Sequence, residues 1–154
     1  MILKSNQTSR INASEIFTMP NCTIIPVLEY LNVEEAIKYL SDTFGFKLRW
    51  RAGNHRAQLV YDEGVIVVTE LKEKNSDKSI LQASNKHSIL VKVKDIDSHF
   101  ENATKSGAKI LQEPTDHFFG ERQYSAIDAE EHIWTFSETK KELRPEEWGA
   151  TTNR

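Results

Sequence analysis

From Thr23 onward the hydrophobic positions change period several times, and each change marks a predicted element. Residues 23–31 read as a strand that ends at Asn32. Asn32 is a good N-cap, and Glu35 three positions later completes a capping-box-like pattern. Val33, Ala36, Ile37, Leu40 and Phe44 then recur at helical spacing, and Gly45 suits a left-handed stop. Phe46, Leu48 and Trp50 alternate with Lys47, Arg49 and Arg51, the period of a half-buried strand. Strands over 55–61 and 65–71 follow, joined through Asp62-Glu63-Gly64, where the glycine would supply the positive φ of a tight hairpin. Residues 72–86 are polar and read as a loop.

The pattern then repeats. Residues 88–94 form a strand, Asp95 caps a helix with Ile96, His99, Phe100 and Ala103 on its apolar side, and Gly107 stops it. Strands at 108–112, 122–127 and 132–138 complete the half. Asn32 and Asp95 lie 63 residues apart, and Gly45 and Gly107 lie 62 apart. A period this long with matching punctuation is an internal duplication. The expected fold class is α+β: two βαβββ modules, 22–72 and 87–139, forming a curved mixed sheet around a cavity. Outside that domain, 1–21 reads as a mobile N-terminal extension. Residues 140–154 read as a charged C-terminal tail whose Pro145-Glu146-Glu147-Trp148 begins a short helix.

Composition narrows the function. The 154 residues carry 20 Lys+Arg against 23 Asp+Glu, a formal charge of −3. That balance supplies no positive field for nucleic acid, and no apolar run is long enough for a membrane span. One cysteine, Cys22, forms neither an internal disulfide nor a multi-cysteine zinc site, so a cytoplasmic location is expected. Cys22 itself reads as a small apolar filler.

Several stretches carry a resemblance: Pro26 through Asn32 with Glu34-Glu35-Ala36-Ile37; Phe44-Gly45-Phe46; Val93-Lys94-Asp95-Ile96-Asp97; Ser106-Gly107-Ala108; and Phe119-Gly120-Glu121-Arg122-Gln123-Tyr124, followed by Asp128, His132, Trp134 and Phe136. Together they resemble the vicinal oxygen chelate superfamily, which includes glyoxalase I, extradiol dioxygenases and bleomycin-resistance proteins, and within it the bleomycin-resistance-like, single-domain branch. The resemblance implies a homodimer with pockets near the subunit interface. It also implies four metal-ligand positions, which fall on Ile25, Val67, Ser88 and Thr135. Isoleucine and valine donate nothing to a cation, and serine and threonine are poor neutral ligands. No metal or other cofactor is therefore expected, and enzymatic activity is not favoured. Where the family has Pro and Gly in its Asp-Pro-x-Gly turn, this chain has Ala129 and Glu131.

The remaining candidate chemistry is aromatic and cationic. Trp50, Phe119 and Tyr124 offer flat surfaces, Arg56 and Arg122 fork onto anions, and Gln58 and His117 add hydrogen-bonding groups. Arg56 reads equally as an edge residue or a cavity residue, and Arg122 reads as a structural ion pair or as an anion contact at the cavity mouth. His99, on the apolar helix stripe, reads as core. The expected function is binding of a small, planar, partly anionic molecule without metal or turnover, by a homodimer with no nucleic-acid or membrane partner. Two rivals stay open. One is a lyase, isomerase or dioxygenase whose metal is recruited by His87 with His55 or Glu29. The other is a regulatory module that docks through the N-terminal arm or Trp148.

Overall fold

A computed structural model describes residues 19–71 and 86–153. Most of the expected N-terminal extension and nearly all of the 72–86 loop lie outside the described residues. The first module runs β1 (Val27–Tyr30), α1 (Val33–Phe44), β2 (Lys47–Ala52), β3 (Arg56–Tyr61) and β4 (Gly64–Glu70). The second runs β5 (Ser88–Lys92), α2 (Ile96–Lys105), β6 (Lys109–Asp116), β7 (Glu121–Ile127) and β8 (Ile133–Thr139). A short 3-10 turn, Pro145–Trp148, follows. The sheets have equivalent orders, β1-β4-β3-β2 and β5-β8-β7-β6, with the first strand of each parallel to the last and the other pairs antiparallel. This is the α+β duplication that the pattern predicts.

The helix boundaries follow from the residues that punctuate them. Asn32 Oδ1 accepts from the Glu35 amide at 3.0 Å, and Asp95 Oδ1 accepts from the Ser98 amide at 3.1 Å. Each bond satisfies one donor that a helix start leaves open. Gly45 ends α1 at φ 87°, its N–H returned to the last carbonyls of the helix. Two details differ from the pattern. β1 begins at Val27, because the pairing with β4 starts at Val27 opposite Val67. In the β3–β4 hairpin the positive φ falls on Asp62 (48°) and not on Gly64. A Cβ at Gly64 would sit 3.3 Å from the Tyr61 carbonyl, a tight contact that the hairpin would have to relieve by a small shift.

The core lies on the helix side of both sheets. Leu59, Ile66 and Val68 from the first sheet share one buried cluster with Tyr124, Ala126, Trp134 and Phe136 from the second. The Phe44 ring, at the end of α1, lies 4.8 Å from Phe136 and 5.7 Å from Trp134. The helices touch where His99 Nε2 donates to the Phe44 carbonyl at 2.8 Å. Each fully buried large apolar side chain contributes about 1.5–3 kcal/mol of transfer free energy, so this cluster dominates the stability. Because both helical faces share one core, the opposite, outer face of each sheet points away from it.

A five-residue turn, 128–132, joins the modules chemically. Asp128 Oδ2 accepts from Tyr30 Oη at 2.6 Å and Trp134 Nε1 at 3.1 Å, while its Oδ1 accepts from the amides of Glu130 and His132. The Glu130 carboxylate takes the amides of Leu31 and Asn32, and His132 Nε2 donates to the Glu29 carbonyl at 2.7 Å. Second-module side chains thus complete the approach to α1. Glu131 sits at φ 70° in this turn, a left-handed conformation that costs a non-glycine residue about 1–2 kcal/mol. The turn keeps its geometry without the glycine, and β8 stays in register, with Thr135 opposite Leu90 and Ser125.

Candidate functional site

The structure distributes the seven sequence candidates over three places. Trp50, Gln58 and Arg56 share the outer face of the first sheet: Trp50 pairs with Gln58, Gln58 with Val67, and Arg56 with Thr69. Gln58 is 1% exposed, and its Oε1 accepts from Arg49 Nη1. Arg56 Nη1 donates to Thr69 Oγ1 at 3.3 Å. A β-bulge between Leu48 and Trp50 creates this arrangement. It inserts one residue into the alternation, so Leu48 keeps company with Leu59 on the helix side while Trp50 turns to the outer side with Arg49. Strict alternation placed Arg49 opposite Trp50, which is why sequence reasoning missed Arg49 as part of this group.

His117 and Phe119 lie in the turn between β6 and β7, their rings stacked at 5.0 Å and 7°. Phe118 and Trp148 complete an aromatic cluster there, with Phe118 73% exposed. Arg122 and Tyr124 face the helices. Arg122 Nε donates to Asp97 at 3.0 Å and Nη1 to Asp116 at 3.2 Å, so its guanidinium bridges α2 and β6. These two hydrogen bonds, Asp97 first, push the Arg122 pKa up. Tyr124 is fully buried, and its hydroxyl meets His99 Nδ1 at 2.5 Å.

His99 occupies the core position that its stripe implies. Its Nε2 faces the Phe44 carbonyl and therefore carries the proton, which leaves Nδ1 to accept from Tyr124. Burial pulls its pKa below the usual histidine value. A depressed folded-state pKa means that the unfolded chain takes up this proton first as pH falls. Stability is thus full above about pH 6.5 and drops progressively below it, toward the depressed value. The thermal midpoint should fall between pH 7 and pH 5, and His99→Gln should flatten that slope. An unchanged slope in the variant would assign the acid sensitivity to other groups.

The outer face of the second sheet is polar. Ser125 Oγ and Thr135 Oγ1 share a hydrogen bond at 2.9 Å, and Ser137 bridges Gln123 and Glu121. Of the four implied metal positions, Val67 and Thr135 sit centrally on β4 and β8, Ser88 opens β5, and Ile25 precedes β1. Val67 stands between Val27 and Gln58, and the Thr135 hydroxyl is engaged by Ser125. Two aliphatic side chains and two neutral hydroxyls do not fit a divalent cation, so no step is derived through one. His55 pairs with Glu70 at 2.7 Å. Among the described residues no three His, Cys, Asp or Glu side chains converge. Cys22 is half-buried and in no disulfide. No described helix is long and apolar enough to cross a membrane.

Comparison with known proteins fits this geometry. A model described as the Glyoxalase/Bleomycin resistance protein/Dioxygenase superfamily matches residues 30–136. TioX from Micromonospora sp. ML1 is 29% identical in sequence and superposes with a TM-score of 0.64, over 77% of this chain and 98% of that one. A glyoxalase/bleomycin resistance protein/dioxygenase family enzyme from Burkholderia phytofirmans PsJN shares the fold at 15% identity, with a TM-score of 0.60 over 75% of this chain and 96% of that one. A protein described in the same terms from Alicyclobacillus acidocaldarius also shows 15% identity and a TM-score of 0.60, over 81% and 96% of the two chains. No functionally curated protein matches the chain.

Proposed function

This chain belongs to the glyoxalase/bleomycin resistance protein/dioxygenase superfamily, and on that premise we propose that it binds a small, planar, partly anionic molecule without a metal and holds it without turnover. The observation that carries this reading is the outer face of the first sheet, where Trp50, Gln58 and Arg49 meet beside Arg56. An indole supplies a flat surface for an aromatic ring, and guanidinium groups supply forked donors for a carboxylate or phenolate. Gln58 fixes Arg49 and so lowers the entropy lost when a ligand binds. A homodimer, in which a second copy covers this face and excludes water, belongs to the same proposal. So does a cytoplasmic setting, where the single cysteine would remain a thiol.

The test is calorimetric titration with 2-naphthoate and 4-nitrophenolate in excess EDTA. Saturable binding of either anion is expected, weakened about tenfold in Trp50→Ala, a loss of about 1.4 kcal/mol that matches one aromatic stacking contact. Binding that appears only after a divalent metal is added would overturn the proposal in favour of metal-dependent chemistry. So would the absence of binding by both anions.

A further inference from the structure

Next to the row of Trp50, Gln58 and Val67, the outer face of the first sheet carries a second row of three side chains. Glu29 of β1 stands opposite Thr69 of β4, and Thr69 stands opposite Arg56 of β3. Cross-strand partners share a face, and the chain neighbours of Glu29, Leu28 and Tyr30, pack in or against the core on the other side. Arg56 Nη1 donates to Thr69 Oγ1 at 3.3 Å, so the guanidinium leans toward β1. That bond uses one of its five N–H donors. Among the described residues the Glu29 carboxylate has no hydrogen bond or ion pair; only the Glu29 backbone carbonyl is engaged, by His132. An exposed cation and an exposed anion thus face each other across one threonine without being joined.

The second module shows what such a row needs in order to fold. Its equivalent side chains are Lys92, Ser137 and Gln123, paired in the same way. Gln123 Nε2 donates to Ser137 Oγ at 3.1 Å, as Arg56 does to Thr69, and the Ser137 hydroxyl donates to Glu121 at 2.8 Å. A neutral amide on a hydroxyl therefore suffices for this strand pairing, and that row is closed within itself. The positive charge of Arg56 and the negative charge of Glu29 are not needed for the pairing that the duplicate achieves without them.

Resting on the reading of this face as the ligand site, the geometry points to the ligand class: a planar aromatic α-amino acid, whose carboxylate takes Arg56, whose ammonium takes Glu29, and whose ring lies along the next row on Val67, Gln58 and Trp50. Glu29 and Arg56 are two strand spacings apart, roughly 10 Å between backbones, and the Arg56 side chain already spans one of them. The gap left, roughly 5 Å, suits a single carbon bearing both charged groups. The two rows are two residues apart along the strands, roughly 7 Å, a step that one methylene and a fused ring bridge. A simple anion engages only the Arg56 half of the row and leaves Glu29 beside it as a like charge.

L-Tryptophan and indole-3-propionate share the ring and the carboxylate and differ in the ammonium, so calorimetric titration of both at pH 7 tests the inference. L-Tryptophan should bind about fivefold more tightly, the size expected of one exposed charge pair. Glu29→Gln should abolish that preference, with indole-3-propionate bound no more weakly than before, which also shows that the variant is folded. Arg56→Gln should weaken both ligands. Equal affinity for the two, or a preference that survives in Glu29→Gln, would overturn the inference while leaving anion binding at this face intact. So would the failure of both indoles in a protein that still binds 2-naphthoate. Failure of all three probes would overturn the reading of the face itself, and the inference with it.

Discussion

Replacing Asp128 by asparagine should lower the unfolding free energy by about 2–3 kcal/mol, the cost of leaving a buried donor unsatisfied and weakening a bond to a charged acceptor. The carboxylate accepts four hydrogen bonds at 6% exposure, two on each oxygen. An asparagine that keeps its oxygen on the Glu130 and His132 amides must turn its NH2 toward Tyr30 and Trp134. The Tyr30 hydroxyl can rotate and accept, but the Trp134 indole N–H has no acceptor role to take. Asp128→Ala should cost more, since all four donors lose their partner. Urea unfolding of the single and double variants provides the check. In a Trp134→Phe background, which removes the stranded N–H, the Asp128→Asn loss should shrink, and a coupling near zero would refute the account. Because Tyr30 is in β1 and Asp128 precedes β8, the loss should appear in both modules at once. The same contact, after burial, holds the Tyr30 phenol far above its ordinary pKa, so the hydroxyl stays a donor throughout the physiological range.

Gly120→Ala should be at least as damaging, by about 2–4 kcal/mol, and its effect should centre on the C-terminal segment. Gly120 has φ 90°, and a Cβ there would lie 2.2 Å from the Lys141 carbonyl oxygen. The Gly120 carbonyl also accepts from the amides of Lys140 and Lys141, at 2.8 and 3.0 Å. The segment cannot retreat from the new methyl without giving up those bonds. Trp148 packs against Phe118 and Phe119, with ring centroids about 6 Å away (6.0 and 5.9 Å). Release should therefore redden Trp148 fluorescence and open residues 140–153 to protease while the two sheets persist. A variant with native stability and an unchanged emission spectrum would mean that the chain can relax around the methyl.

The duplication, the two helices and the succession of elements along each module were legible because they depend on local signals. Asn32 and Asp95 cap, Gly45 and Gly107 stop, and the 3.6-residue and two-residue periods are set by backbone geometry alone. The core role of His99 was legible for the same reason, since it sits on the apolar stripe of its helix. The position of Trp50 was not. A one-residue bulge reverses the side of every residue beyond it, and nothing in Lys47-Leu48-Arg49-Trp50 announces where the extra residue falls. Arg122 could be read as an ion pair or an anion contact until Asp97 and Asp116, from α2 and β6, were seen to converge on it.

The amino-acid sequence by itself therefore determined the fold class and the family, because each follows from residue identity at locally defined places. Tertiary structure alone decided which candidates share a surface. It brought Arg49, Trp50 and Gln58 together and sent Tyr124 into the core. Those outcomes depend on distances between residues up to a hundred positions apart, which no periodicity records.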